Sequence, residues 1–110
     1  MKSIYRLKKN YQYNYVYKHG QSVADGSMVL LYCKNGKSTS QAGFSVSKKY
    51  GHAVSRNRIR RQMKAAAEKI MPQVKGGYNI VFVPRRKSQY DFWQLQESMQ
   101  KLLEKAELLQ

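Results

Sequence analysis

Acidic side chains are nearly absent from the first 67 residues, where Asp25 is the one carboxylate. Over all 110 residues there are 21 Lys and Arg against 6 Asp and Glu, which gives a formal net charge of +15. Repulsion at this density opposes a compact fold unless a polyanion neutralises the charge in the working state. Nucleic acid is therefore the first partner to expect, and an anionic membrane surface is the second.

The length predicts a single domain, 1–110, because a chain of this size removes roughly two-thirds of its unfolded surface from water around one core. Residues 1–9, MKSIYRLKK, lack periodicity and predict a basic, partly ordered arm. Cys33 has no partner for a disulfide, which favours a reducing compartment and a buried, small apolar side chain. No apolar run approaches the ~20 residues that span a bilayer, so we expect a cytoplasmic protein.

Residues 55–71 have the periodicity of an amphipathic helix, with Ser55 as the expected N-cap and Pro72 as the residue that ends it. Its apolar positions follow the spacing i, i+4, i+7 and i+11 and predict one buried stripe: Ile59, Met63, Ala66 and Ile70.

The remaining apolar runs predict strands and a last helix. Residues 27–33 form a strand, and the Asn35–Gly36 turn predicts that 41–47 returns as its antiparallel partner, with Gly43 at a close backbone approach. Residues 78–84 form another strand, and 22–24 could add an edge strand. Ser88 and Asp91 predict a capping box before a C-terminal helix. The fold class expected is α+β, a two-layer sandwich of helices on a small sheet.

Residues 10–20, NYQYNYVYKHG, place a tyrosine at every second position from Tyr11 to Tyr17. Alternation favours a strand slightly, yet Tyr13 and Tyr17 also lie four apart, as on one face of a helix. Aromatic rings among basic residues suit unpaired nucleic acid, because bases stack on the rings while cations follow the phosphates.

The densest basic segment lies in residues 45–64, SVSKKYGHAVSRNRIRRQMK. Arginine predominates in its helical part, and the planar guanidinium binds phosphate through two hydrogen bonds. Asn57 adds an amide that can contact a base edge or a ribose hydroxyl. The cations of this helix are Arg56, Arg58, Arg60, Arg61 and Lys64.

Catalysis by the protein's own side chains has little support in the sequence. The six carboxylates are scattered, and no His and Cys have metal-ligand spacing, so no protein metal site is expected. His19 and His52 could act as an acid–base pair on phosphate, which leaves a self-sufficient nuclease as one alternative.

The segment GFSVSKKYGHAVSRNRIRRQMK (43–64) resembles the signature Arg-Asn-Arg region of the protein subunit of bacterial ribonuclease P. RLKKNYQYNYVYKHG (6–20) and YNIVFVPR (78–85) match the same family in the same order. The resemblance implies a helix over the tyrosine segment and a left-handed βαβ crossover. It also implies assistance to a catalytic RNA that removes the 5′ leader from precursor tRNA, with Mg²⁺ held mainly by that RNA and by substrate phosphates.

The resemblance also assigns roles to residues, with no catalytic group on the protein. Those expected to bind the single-stranded leader are Tyr13, Tyr17, Lys48, Lys49, Arg56 and Asn57. Those expected to bind the catalytic RNA are Arg58, Arg60, Arg61 and Lys64. The cleft rings are tyrosines where phenylalanine is common in the family, and Leu31 replaces an aromatic residue of some relatives. The alternative is a structural RNA-binding protein of the ribosomal kind; neither a membrane nor a protein partner is expected.

Overall fold

A computed structural model describes residues 2–85 and 91–110 and has the predicted α+β class. The tyrosine segment forms a helix, and short 3₁₀ turns lie at Ser3–Tyr5, Lys48–Tyr50 and Met71–Gln73. In chain order the helices and strands are α1 (Asn10–His19), β1 (Gln21–Ala24), β2 (Met28–Lys34), β3 (Gln41–Phe44), α2 (Ala53–Ile70), β4 (Tyr78–Pro84) and α3 (Phe92–Lys105).

The four strands form one sheet in the order β1-β2-β4-β3. The predicted hairpin between β2 and β3 is wrong, because β4 lies between them, antiparallel to β2 and parallel to β3. Most of β4 is buried, and a central position in the sheet favours so apolar a strand because it buries both of its faces. Helix α2 thus connects the two parallel neighbours β3 and β4, as the implied βαβ crossover requires. The left-handedness of that crossover stays a prediction.

Helices cover both faces of the sheet, to different extents. The face under α2 and α3 carries a continuous core that includes Leu30, Ile80 and Phe82 from the strands. The opposite face carries α1 and a small cluster of Leu7, Val16 and Val81. The alternation of β4 between the two clusters follows the period of two in a strand.

The N-terminal arm lies along the free edge of β3. Arg6 forms a parallel bridge with Ala42, and the backbone N–H of Leu7 donates to the Ala42 carbonyl at 2.9 Å. Leu7 is buried in the small cluster under α1. The arm therefore covers an edge that would otherwise expose unpaired backbone groups.

Two predicted helix ends differ from the structure. Helix α2 begins at Ala53 with His52 as its N-cap, so the prediction of Ser55 as the cap is wrong; Ser55 lies inside the first turn. Helix α3 is capped by Asp91, whose carboxylate accepts the backbone N–H of Trp93 at 3.0 Å. The side chain of Gln94 accepts the Asp91 N–H in return, whereas Ser88 lies outside the described residues.

Asp25 joins the β1–β2 turn to α3. Its carboxylate accepts the N–H groups of Ser27 and Met28 at 2.7 and 2.9 Å and the hydroxyl of Ser98 at 2.5 Å. Burial acts to raise the pKa of Asp25, but these hydrogen bonds and the charge of Arg85 outweigh it and lower the pKa. The ionised carboxylate therefore stabilises the α3 side of the sheet.

Candidate nucleic-acid interface

A cleft opens between α1, the end of β3 and the N-terminal half of α2. It consists of two cavities of about 200 and 410 Å³ that share Tyr13, Phe44 and Arg60. Among the described residues that line them there is no Asp or Glu. A concave surface with rings and cations but no carboxylate suits a polyanion that presents unpaired bases.

Close packing fixes α1 over the sheet. The side chain of Gln12 accepts the backbone N–H of Lys9 at 3.1 Å and closes the first turn, and Val16 is fully buried beneath the helix. At the C-terminal end, a Cβ on Gly20 would lie 2.4 Å from the Val16 carbonyl oxygen and 3.0 Å from that of Tyr32. Only glycine therefore permits the tight descent from α1 into β1.

Tyr13 forms the floor of the cleft. A Cβ on Gly43 would lie 2.3 Å from the Tyr13 hydroxyl oxygen, so the ring occupies the space that the glycine leaves open. The prediction of a close backbone approach at Gly43 is therefore wrong in its partner, because the Tyr13 side chain makes the approach. The Tyr13 hydroxyl donates to the Leu7 carbonyl at 3.4 Å, and burial raises the pKa of Tyr13. The phenol therefore stays neutral at physiological pH.

Tyr17 forms the open wall beside Tyr13. Its side chain is 45% exposed, and the two ring centroids lie 6.4 Å apart with 47° between the ring planes. The rings do not stack on each other, so Tyr17 presents a free aromatic surface to the cleft. Tyr13 and Tyr17 thus share the cleft, but Tyr17 is the ring with more surface for a ligand.

The opposite wall is one face of α2. Arg60 lines both cavities and donates to the Val46 carbonyl at 3.5 Å and to the Asn57 side-chain oxygen at 3.1 Å. Lys64, one helical turn further, lines the smaller cavity. Asn57, Arg60 and Lys64 have the spacing i, i+3, i+7 of a single helix face. Arg60 and Lys64, predicted to bind the catalytic RNA, therefore lie in the cleft, whereas Asn57 lines neither cavity and contacts the cleft only through its hydrogen bond to Arg60.

The other cations of the basic segment lie outside the two cavities. Arg58 and Arg61 are exposed on α2 and line neither cavity. Lys48 and Lys49 are exposed in the 3₁₀ turn that follows the cleft strand. Arg56 donates to the Gly51 carbonyl at 2.9 Å and so holds that turn against the start of α2.

Sequence reasoning missed several cleft residues, among them Asn10, Asn14 and Phe44. The two asparagines have a detectable signal, because with Tyr17 they follow the helical spacing i, i+4, i+7. Phe44 gives no such signal. It stacks on Phe82 with centroids 5.9 Å apart, and its position at the cleft depends on the pairing of β3 with β4.

The histidines, the cysteine and the possible metal or membrane features considered from the sequence do not form part of the cleft. His19 packs against the Tyr15 ring at 4.5 Å and lines a cavity that His52 does not line, whereas His52 is the N-cap of α2. Within 2–85 and 91–110, no group of three or more His, Cys, Asp and Glu side chains could hold a metal ion. None of the described helices is long and apolar enough to cross a membrane. Burial raises the pKa of Cys33, which keeps that thiol protonated.

Comparison with known proteins gives one consistent result. A family model described as Ribonuclease P matches residues 1–107. The ribonuclease P protein component of Caldanaerobacter subterraneus subsp. tengcongensis is 40% identical over 104 residues, which cover 94% of this chain and 90% of that protein. The corresponding protein of Thermoanaerobacter sp. is 39% identical over 108 residues, which cover 97% and 93%.

Solved structures show the same likeness. The RNase P protein of Staphylococcus aureus superimposes with a TM-score of 0.85 at 31% identity, over 96% of this chain and 98% of that chain. The RNase P protein from Thermotoga maritima superimposes with a TM-score of 0.82 at 30% identity, over 91% and 96%. The likeness therefore extends over nearly the whole chain in both sequence and fold.

Proposed function

Because the chain belongs to the ribonuclease P protein family, and so acts with the ribonuclease P RNA in tRNA processing, we propose that its cleft binds the single-stranded 5′ leader of precursor tRNA. The membership makes the protein a subunit of an RNA-processing ribonucleoprotein enzyme. The proposal adds the substrate and the place on the protein where it binds.

The observation that carries the proposal is the pairing of Tyr17 with Arg60 across a cleft without carboxylates. A base that enters can stack on the exposed face of Tyr17, with the half-buried Tyr13 ring beneath it. The guanidinium of Arg60 faces the same space and supplies charge to the backbone phosphates. A duplex hides its base faces in its own stack, so this arrangement favours an unpaired strand.

The remaining cations extend this surface in two directions. Lys48 and Lys49, in the turn after the cleft strand, would continue the leader path along the phosphates. Arg58 and Arg61 are exposed and line neither cleft cavity, and they would bind the catalytic RNA. The basic helix α2 would then lie between the two RNAs, with its Asn57–Arg60–Lys64 face toward the leader.

In this proposal the RNA, not the protein, binds Mg²⁺. The described residues of the protein include no cluster that would hold the ion, so we assign no step through a metal on this chain. Mg²⁺ bound to RNA and substrate phosphates would supply the hydrolysis of the phosphodiester bond, with the endonucleolytic cut at the 5′ end of the mature tRNA. The role of the protein is to hold the leader and to stabilise the RNA fold by neutralising phosphates.

Cleavage of precursor tRNA at low Mg²⁺ tests the proposal with three samples: catalytic RNA alone, protein alone, and both. We expect slow cleavage from the RNA, none from the protein and fast cleavage from the mixture. Activity of the protein alone that His19→Ala or His52→Ala abolishes would indicate a protein nuclease. Failure of the protein to stimulate the RNA would contradict the proposal and favour a structural RNA-binding protein.

A further inference from the structure

The outer side of α1 carries a row of aromatic side chains that the cleft does not use. Tyr11, Tyr15 and His19 follow the spacing i, i+4, i+8, and the two tyrosines are 70% and 54% exposed. Tyr15 and His19 lie with ring centroids 4.5 Å apart and 41° between their planes. Rings this exposed contribute little to the core, so packing does not explain the row.

The row leads to a separate cavity, of about 490 Å³, at the end of the sheet where β2 finishes and β4 begins. His19 lines this cavity together with Tyr32 and Tyr78, whose ring centroids lie 6.5 Å apart. The hydroxyl of Tyr32 donates to the Gln21 side chain at 3.0 Å, which fixes the orientation of its ring. The volume falls within the ~300–1,000 Å³ of pockets that hold small organic groups such as a base.

Charge at this cavity favours an anion. Lys34 and Lys75 are exposed on its lining, with Glu107 as the one acid among the described lining residues. No residue that lines this cavity also lines the cleft. Helix α1 therefore separates two surfaces that each combine tyrosine rings with cations.

We propose that Tyr11, Tyr15, His19, Tyr32 and Tyr78 form an outer track that binds a second single-stranded segment of RNA. The inference rests on the proposed function only in taking RNA as the ligand. Bases would stack on the exposed rings along α1, and the strand would end in the cavity, where Lys34 and Lys75 meet its phosphates. An anionic membrane is the less favoured occupant, because the row joins a partly open, concave cavity of aromatic and polar lining rather than a broad apolar face.

The test measures binding of a labelled oligouridine of about 15 nucleotides, near the upper range of single-strand site sizes. The track variant is Tyr11→Leu with Tyr15→Leu, which keeps apolar bulk and helix propensity but removes both rings. Trp93→Leu is the matched control, because Trp93 is 65% exposed on α3, away from either surface. Circular dichroism checks that α1 stays folded.

We expect the track variant to weaken binding about 10-fold or more, from the loss of two stacked bases, and Trp93→Leu to have little effect. The same loss should appear in a Tyr17→Leu background, because independent sites contribute additively. The preference for precursor over mature tRNA should stay unchanged in the track variant. If the wild-type protein shows no preference for precursor over mature tRNA, the leader proposal is wrong whatever the track variant does. The two proposals can therefore fail separately.

A second variant leaves α1 untouched. Lys34→Gln with Lys75→Gln should make the slope of log affinity against log salt shallower by about 1.4, for two phosphates of a single strand. Unchanged oligouridine affinity in the ring variant and in the lysine variant would overturn the proposal. So would a loss of binding to phosphatidylglycerol vesicles without any loss of RNA binding, which would assign the track to a membrane.

Discussion

The two faces of the sheet differ in how fully helices cover them. Under α2 and α3 the buried side chains form a continuous core that includes Met63, Leu103 and Phe82. Under α1 the buried cluster consists of Leu7, Val16 and Val81, and a cleft opens beside it. The same strands supply both faces, so one face can carry the stability of the fold while the other keeps surface free for a ligand.

Core truncation should separate the two faces most clearly. Leu103→Ala removes a fully buried side chain under α3 and should lower the free energy of unfolding by about 2–5 kcal/mol. Val16→Ala on the other face should cost less, about 1–3 kcal/mol, because fewer carbon atoms are removed and the cluster is smaller. Urea unfolding of both variants measures the difference.

RNA binding should show the reverse order for the same two variants. Folded Leu103→Ala protein should bind precursor tRNA as the wild type does, whereas Val16→Ala should bind more weakly because Val16 supports α1 above the cleft. Equal binding losses in the two variants would mean that the faces are not functionally distinct.

Gly43→Ala should damage the cleft from below. The added Cβ would collide with the Tyr13 hydroxyl, and such overpacking costs about 1–3 kcal/mol of stability. We expect weaker precursor binding because the displaced ring intrudes on the cleft. The double variant Gly43→Ala with Tyr13→Leu should recover stability, as urea unfolding can show. No recovery would place the strain elsewhere.

Low pH should weaken the α3 side of the sheet through Asp25. Its pKa is lower in the folded protein than in the unfolded chain, so its stabilisation is present above about pH 4 and is lost as the pH falls through the folded pKa. Asp25→Asn should destabilise the protein by about 1–2 kcal/mol at pH 7, where charge-assisted hydrogen bonds are lost. Thermal unfolding should show the two proteins converging at acid pH; a constant difference would contradict this assignment.

High pH should lower the stability of the α1 side of the sheet through Tyr13, and this is the smallest of the predicted effects. Its folded pKa is raised, so its stabilisation is present below about pH 10 and is lost as the pH rises through the folded value. Tyr13→Phe should cost under about 1 kcal/mol at pH 7, where one long hydrogen bond is lost. Above pH ~10 the stability difference between wild type and variant should shrink in thermal unfolding, because the phenylalanine ring cannot ionise. Parallel curves would mean that the phenol is not buried as described.

Local patterns in the sequence predicted most helices and strands. The stripe from Ile59 to Ile70 is buried as expected, and the strand 78–84 agrees with β4 residue for residue. The edge strand at 22–24 pairs with β2. These features depend on periodicity within one segment, which a single sequence records directly.

Features that depend on distant pairing were harder to predict. The turn at Asn35–Gly36 exists, with Gly36 at a φ of 72°, but it does not close a hairpin because β4 inserts between the strands. The resemblance assigned Arg60 to the catalytic RNA, and the structure places it at the cleft. Its place in the cleft depends on how α2 crosses from β3 to β4, and the spacing of charges along α2 does not contain that information.

The central claim is that the cleft under α1 recognises the unpaired leader. The most direct measurement is the affinity of the protein–RNA holoenzyme for precursor tRNA and for mature tRNA, with Tyr17→Ala compared with Trp93→Ala. We predict that Tyr17→Ala weakens precursor binding by ~1–3 kcal/mol and leaves mature tRNA unchanged, while Trp93→Ala affects neither. An equal loss for both tRNAs, or no loss for either, would contradict the account.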